Sequence, residues 1–204
     1  MTNLETELEF SDFIRLVLDA LEAAQVTYLI GGAVAVWAWG DVRTTRDLDV
    51  VIELPIEQIA SLSQELKKRD MLVPIDIIID LLLEDRGDLP INAIHLNTGY
   101  KAELFLLRAG DVYRATSLTR RRLVDLGPPL GQVYVHSPED LILNKLRYFT
   151  LSRQSKHVRD IRSMILAMGD ELDFAYIESW AEQLGVTEVW QEILHPAAPG
   201  SLQS

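Results

Sequence analysis

The sequence predicts an α+β fold: a mixed β-sheet core flanked by helices, followed by a helical C-terminal region. Three observations lead there. Short β-branched runs alternate with segments of helical length as far as Val135. Asn97-Thr-Gly99 reads as a hairpin turn between two of those runs, so the sheet is mixed rather than purely parallel. Beyond residue 135 the pattern is helical only, with capping residues and apolar stripes. The chain of 204 residues, 48% of them hydrophobic, can bury a good core as one large domain or two small ones. The expected division is an αβ core at 1–135, a helical region at 136–195 and a disordered Pro/Ala/Gly/Ser tail at 196–204.

Taken in order, residues 10–25 form an amphipathic helix. Thr27-Tyr-Leu-Ile30 reads as a short strand, and Gly31-Gly32 lets the backbone turn tightly into an Ala/Val/Trp segment in which Trp37 and Trp39 are packing residues. Asp47-Leu-Asp-Val-Val-Ile52 is the next strand, and Pro55 with residues 58–69 places a helix after it. Residues 74–85 are long enough for another helix, with Asp76 and Asp80 on its exposed face. The strands 91–96 and 100–107 flank the hairpin turn, and Gly127-Pro-Pro-Leu-Gly131 turns between strands 123–126 and 132–135. Helices come next near 138–151, 155–168 and 173–184. The first has Ser137 at its cap, Pro138 in its first turn and acids right after.

Strand residues two apart share a face, so Asp47 and Asp49 present two carboxylates side by side. Magnesium takes oxygen ligands and usually shares its protein carboxylates with substrate phosphates. Upstream, the N–H groups of the helix start after Gly31-Gly32 would face an anion, and glycine removes the side chain that would hold a phosphate away. An isolated Asp-x-Asp is an ordinary surface feature. With a glycine pair, a helix-sized spacer and a strand in order around it, the pair points to a site for a metal-bound nucleoside triphosphate.

Gly31-Gly32, the string Arg43-Thr-Thr-Arg-Asp-Leu-Asp49 and the strands and helices C-terminal to it resemble the nucleotidyltransferase superfamily of polymerase-beta type, over about residues 10 to 190. The likeness is greatest to its small bacterial branch related to abortive-infection toxins and minimal nucleotidyltransferase antitoxins. The resemblance implies that Gly31 and Gly32 hold a triphosphate, that Asp47 and Asp49 bind Mg2+ or Mn2+, and that a third acid on a neighbouring strand completes the site. Glu103 occupies that position where relatives more often show aspartate; its other reading is a surface glutamate paired with Lys101 or a cross-strand base. Asp76 and Asp80 compete for the role and rank well below it. Ala33 stands where many polymerase-like relatives carry a serine. Arg43 and Arg46 either neutralise phosphate charge or pair with neighbouring acids to hold the loop.

Glu139, Asp140, Leu141 and Lys145 match the family's Glu-Asp-Leu-x-x-x-Lys pattern. Lys145 falls inside an apolar stripe, where a lysine either snorkels or meets an anion, and the resemblance implies that the anion is the triphosphate. Lys156-His-Val-Arg-Asp160 resembles a basic-acidic motif of the same relatives, but the usual second aspartate is replaced by Arg162, Ser163 and Met164, which suits a structural Asp160. The implied reaction is transfer of a nucleoside monophosphate from a nucleoside triphosphate to a hydroxyl of a protein or RNA acceptor. Two other readings stay open: nucleotide binding without turnover, and a partner-binding module that forms half of a toxin–antitoxin pair.

Composition narrows the classes. Without cysteine there is no disulfide, zinc-thiolate site or thiol catalysis, and His95, His136, His157 and His195 are scattered without ligand spacing. No apolar run of about 18 residues and no leader pattern is present, so a soluble cytoplasmic protein with no membrane partner is expected. The net charge of −12 argues against indiscriminate nucleic-acid binding. Its distribution is uneven: residues 108–162 hold 11 Lys/Arg against 5 Asp/Glu, the remainder 8 against 26. This basic stretch is either a set of solvated helix faces or a docking strip for an anionic acceptor.

Overall fold

Six strands build one mixed sheet in the computed structural model, which describes residues 8–84 and 89–195. They are β1 (Thr27–Ile30), β2 (Asp47–Glu53), β3 (Ile91–Ile94), β4 (Lys101–Leu106), β5 (Arg122–Asp125) and β6 (Gln132–Val135), in the spatial order β3-β4-β2-β1-β6-β5. The pairs β1/β2, β3/β4 and β5/β6 are antiparallel, whereas β2/β4 and β1/β6 are parallel. The hairpin between β3 and β4 closes where expected: Gly99 takes a φ of +71° and donates its N–H to the His95 carbonyl at 2.9 Å. The tail expected at 196–204 lies outside the described residues.

The helices are α1 (Phe10–Ala23), α2 (Gly32–Trp39), α3 (Ile59–Lys67, after a 3-10 turn at Ile56–Gln58), α4 (Ile75–Leu83), α5 (Val112–Thr119), α6 (Pro138–Ser152), α7 (Ser155–Met168), α8 (Phe174–Gln183) and α9 (Thr187–Leu194). Two of them, α5 and α9, are not among the helices expected from the sequence. Val112-Tyr-Arg-Ala-Thr-Ser-Leu-Thr119 carries three β-branched residues, Val112, Thr116 and Thr119, which hold back a helix. It forms one because Asp111 accepts the Arg114 N–H at 2.9 Å as a cap and Leu118 packs with Leu29 and Val51. The short α9 is fixed by burial of Val189, Trp190 and Ile193.

The chain divides into two units, one of Arg43–His136 with the described residues up to Ala38, the other of Trp39–Val42 with the described residues from Ser137. In the first, α1 buries Phe13, Ile14, Val17, Leu18 and Leu21 and packs against α3 and β1. Each such side chain taken from water contributes about 1.5–3 kcal/mol before conformational entropy is counted. Val50, Val51 and Ile52 are all buried, so the inner end of β2 is covered on both faces, while its start, Asp47, is exposed. The sheet therefore delivers its aspartates to a strand end that water reaches.

In the second unit α6 is the central helix, packed by α7, α8 and α9. Ser137 caps it by accepting the Asp140 N–H at 3.2 Å and donates its hydroxyl to Asp140 Oδ2 at 2.8 Å. The other Asp140 oxygen accepts the Tyr176 hydroxyl at 2.8 Å, which ties α8 to the start of α6. Asp140 is thus a fully buried structural acid.

Candidate active site

β2 and β4 lie side by side with Asp47 opposite Lys101 and Asp49 opposite Glu103. Leu48, Ala102 and Leu104 point into the core, so alternation turns Asp47, Asp49, Lys101 and Glu103 to the other face. On the far side of β4, Asn92 of β3 stands opposite Glu103. The third carboxylate is therefore in cross-strand register with the second, and parallel pairing of two distant segments is what brings them together.

At the end of β1 the chain turns against the same aspartate. The Gly31 N–H donates to the Asp49 carbonyl at 2.8 Å and the Gly31 carbonyl accepts the Ala35 N–H at 3.0 Å, so the Gly31 amide is used by the fold and is not offered to a phosphate. Position 31 does not demand glycine, since an added Cβ would make only ordinary van der Waals contact. A Cβ there would lie 3.4 Å from Cδ2 of His136, a buried imidazole that comes directly after β6. Gly32 has a φ of +57°, and a Cβ on it would meet Asp49 Oδ2 at 1.7 Å. The Asp49 carboxylate thus occupies the room that only a glycine leaves, directly before the first-turn amides of α2, which have no acceptor within the helix. His136 is a member of this site that its isolated position in the sequence concealed. The clue was the matched ends of two strands: β6 pairs with β1 at Ile30↔Val135, which sets residue 136 beside residue 31.

Lys101 supplies a cation to this face. Its Nζ donates to Glu103 Oε1 at 2.5 Å and lies 3.7 Å from Asp47 Oδ1. The hydrogen bond to Glu103, reinforced by the charges of Glu103, Asp47 and Asp49, holds the ammonium pKa above the ordinary lysine value of 10.5. Glu103 thus sits on the face with Asp49 and at the same time pairs with Lys101, the partner its alternative reading named. Asp76 and Asp80 lie on exposed positions of α4, away from the strand register.

As donors, Asp47, Asp49 and Glu103 suit a hard divalent cation, being oxygen ligands only. Among the described residues no three Asp, Glu or His side chains close into a metal-binding group. Lys101 is the countercharge on this face, bonded to Glu103 and near Asp47. The residues fit Mg2+ or Mn2+ in kind, with the ammonium as the group a metal must displace.

The remaining predicted residues are dispersed. Arg46 is exposed and Arg43 half-buried in the loop before β2, whose turn is held by Trp37 Nε1 donating to the Arg43 carbonyl at 3.2 Å. Thr45 Oγ1 receives the Asp47 N–H at 3.3 Å and fixes the approach to the strand. Lys145 belongs to the second unit. It does not snorkel: it is buried, with Nζ 2.7 Å from Oδ2 of the equally buried Asp160. No helix among the described residues is long and apolar enough to cross a membrane.

No protein-family model and no curated relative matches the chain. Solved structures do. A solution structure of the antibiotic-resistance factor ANT(2'')-Ia superposes with a TM-score of 0.59 at 15% identity, over 91% of this chain and 97% of that one. A crystal structure of ANT(2'')-Ia in complex with adenylyl-2''-tobramycin gives 0.58 at 18%, over 86% and 96%. An antigenic nucleotidyltransferase-like protein from Paracoccidioides brasiliensis gives 0.52 at 17%, over 91% and 92%. The chain has the nucleotidyltransferase-like fold.

Proposed function

We propose that the chain is a metal-dependent nucleotidyltransferase that moves a nucleoside monophosphate from a nucleoside triphosphate to a hydroxyl of a protein or RNA acceptor. The observation that carries the reading is the packing of the Asp49 carboxylate against the Cα of Gly32, with Glu103 in register on the adjacent strand. It sets the glycine turn before α2 beside Asp49, which supports a site for phosphate and metal at this strand end. ANT(2'')-Ia, which shares the fold, was captured with an adenylylated tobramycin, and this supports nucleotidyl transfer in general.

In this reading an acceptor hydroxyl attacks the α-phosphorus in line and pyrophosphate leaves. Asp47, Asp49 and Glu103 would hold the metal, which when bound supplies charge stabilisation at the attacking and leaving oxygens. The first-turn amides of α2 would face the phosphates, and glycine at 32 leaves room for the Asp49 carboxylate beside them. Arg43 and Arg46, on the loop leading into β2, would balance phosphate charge. Glu103, once parted from Lys101, is placed to accept the acceptor's proton. The sequence likeness to the small bacterial branch extends the proposal to a cognate toxin or antitoxin partner.

A second reading, metal-dependent nucleotide binding without turnover, is favoured by the hold of Lys101 on Glu103. One experiment separates the two. Each of the four α-labelled nucleoside triphosphates is offered with Mg2+ or Mn2+ to lysate RNA and protein, with the native chain and with Asp49→Ala. Label in one polymer that vanishes in the variant establishes transfer and names base and acceptor class. Metal-dependent triphosphate binding without transfer selects the second reading, and triphosphate binding unchanged in Asp47→Ala and Asp49→Ala sinks the site altogether.

A further inference from the structure

The basic stretch between Arg108 and Arg162 does not act as one surface. In the first unit the Arg108 guanidinium is taken up by the Leu81 and Leu82 carbonyls, and Arg114 lies 3.4 Å from Asp111 Oδ2. Arg121 donates to the Leu118 carbonyl and sits over the Tyr134 ring at 4.7 Å. In the second unit Lys145 is buried on Asp160. Arg153, Lys156, Arg159 and Arg162 are different. All four are exposed, and among the described residues none of their side chains makes an ion pair or a hydrogen bond.

Three of these cations border one groove of about 610 Å3 within the second unit, lined by Phe149 and Arg153 on one side, by Arg159, Arg162 and Ser163 of α7, and by Asp41. Asp41 of the segment Trp39–Val42 contributes to its lining. Gly40 packs so tightly on α7 that a Cβ would meet Ser163 Oγ at 2.6 Å, and the Asp41 N–H donates to that same oxygen at 3.3 Å. The guanidinium of Arg153 lies 5.4 Å from the centre of the Phe149 ring, giving a flat, cationic rim. Asp41 is the single acid in the lining, against three arginines.

We propose that this groove binds the phosphodiester backbone of a single nucleic-acid strand. Arg159 and Arg162 lie three residues apart on α7, so with a rise of about 1.5 Å per residue they add a row of roughly 4.5 Å to Arg153 in the same groove lining. A stacked strand carries one negative charge per about 3.4 Å, which sets two or three phosphates along these three arginines. Guanidinium forks match phosphate geometry, and an aromatic ring beside a basic groove is the arrangement on which single-stranded bases stack. The overall charge of −12 is then an advantage, since it confines a polyanion to this face and repels it elsewhere.

Binding is measured without triphosphate or metal, so it stands apart from the transfer reaction. Fluorescein-labelled single strands of about 20 nucleotides, one RNA and one DNA of the same sequence, are titrated with the full chain and monitored by anisotropy. With three phosphate contacts, affinity is expected to fall about 20-fold between 50 and 200 mM salt, at a slope of about −0.7 per contact. Arg159→Ala with Arg162→Ala should weaken binding at least 10-fold and flatten that slope by about 1.4. The charge-keeping pair Arg159→Lys with Arg162→Lys should retain most of the affinity, and Asp76→Ala, at an exposed position of α4, should bind as the native chain does. Equal binding of both strands supports the shared phosphate chemistry, and a preference for RNA supports it while naming the source. No binding at 50 mM salt, unchanged binding in the double alanine variant, or displacement of RNA by polyglutamate at equal charge concentration would each overturn the proposal.

Discussion

Two lysine–carboxylate pairs, one in each unit, are chemically alike and physically opposite. Lys145 and Asp160 meet at 2.7 Å with side chains only 5% and 3% exposed, whereas Lys101 and Glu103 meet at 2.5 Å with 33% and 25% exposed. The first pair is almost closed off from solvent, so each ion depends on its protein partners. Around the second, water and neighbouring carboxylates compete for the ammonium, and the pair can open. Burial, rather than contact distance, separates an ion pair that locks α6 to α7 from one that can exchange its cation for another.

The largest effect should come from breaking the buried pair. Asp160→Ala or Lys145→Met alone removes the salt-bridge partner of a buried charge and is expected to cost about 3–5 kcal/mol in urea unfolding. Replacing both, Lys145→Met with Asp160→Leu, should restore most of that loss, because two apolar groups of similar volume no longer need each other. This series also decides the fate of Lys145 as a phosphate ligand. If it reaches a triphosphate, Lys145→Met weakens triphosphate binding more than nucleoside binding, and the restored double variant stays weak. Equal losses for both ligands mark it as a packing residue.

Next in size is Gly32→Ala, which tests how firmly the exposed face is built. The positive φ of residue 32 costs a side chain about 1–3 kcal/mol, and the new Cβ also drives the Asp49 carboxylate from its place. Gly99→Ala provides the contrast, with a φ of +71° and nothing within 4 Å of an added Cβ. Both variants should lose stability in thermal unfolding, but only Gly32→Ala should lose metal-dependent triphosphate binding. Equal triphosphate binding by the two would show that Asp49 does not need its glycine.

Most of this architecture was legible in the sequence because local rules agree with the fold. Glycine 32 had to turn, Val50-Val51-Ile52 had to be strand, and Ser137-Pro138 had to start a helix. The position of Glu103 was also readable, since the hairpin at Asn97-Thr-Gly99 fixes which strand carries it. What stayed hidden depends on contacts between distant segments. The helix α5 needs the Leu29 and Val51 surface to overcome its β-branched residues. His136 joins Gly31 only through the β1/β6 register, and the basic stretch separates into used and unused cations only once Leu81, Leu82 and Asp111 are placed around it.

The smallest effect on stability, and the most direct probe of the exposed pair, is Lys101→Met. A half-solvated ion pair contributes about 0–1 kcal/mol, so unfolding at neutral pH should hardly change. Because the lysine pKa is raised in the folded chain, that contribution is fully present below the ordinary value of 10.5 and fades as the pH climbs through the raised value. The stability difference between native chain and variant should therefore be constant at neutral pH and close only in strong alkali. Metal binding should move the other way. If Lys101 competes with the metal for Glu103 and Asp47, removing it should tighten Mn2+ binding up to about fivefold, the equivalent of about 1 kcal/mol, as read from the free-ion EPR signal. Weaker Mn2+ binding in Lys101→Met would instead make Lys101 the residue that orients Glu103 for the metal, and the exposed pair would then be a support rather than a cation waiting to be exchanged.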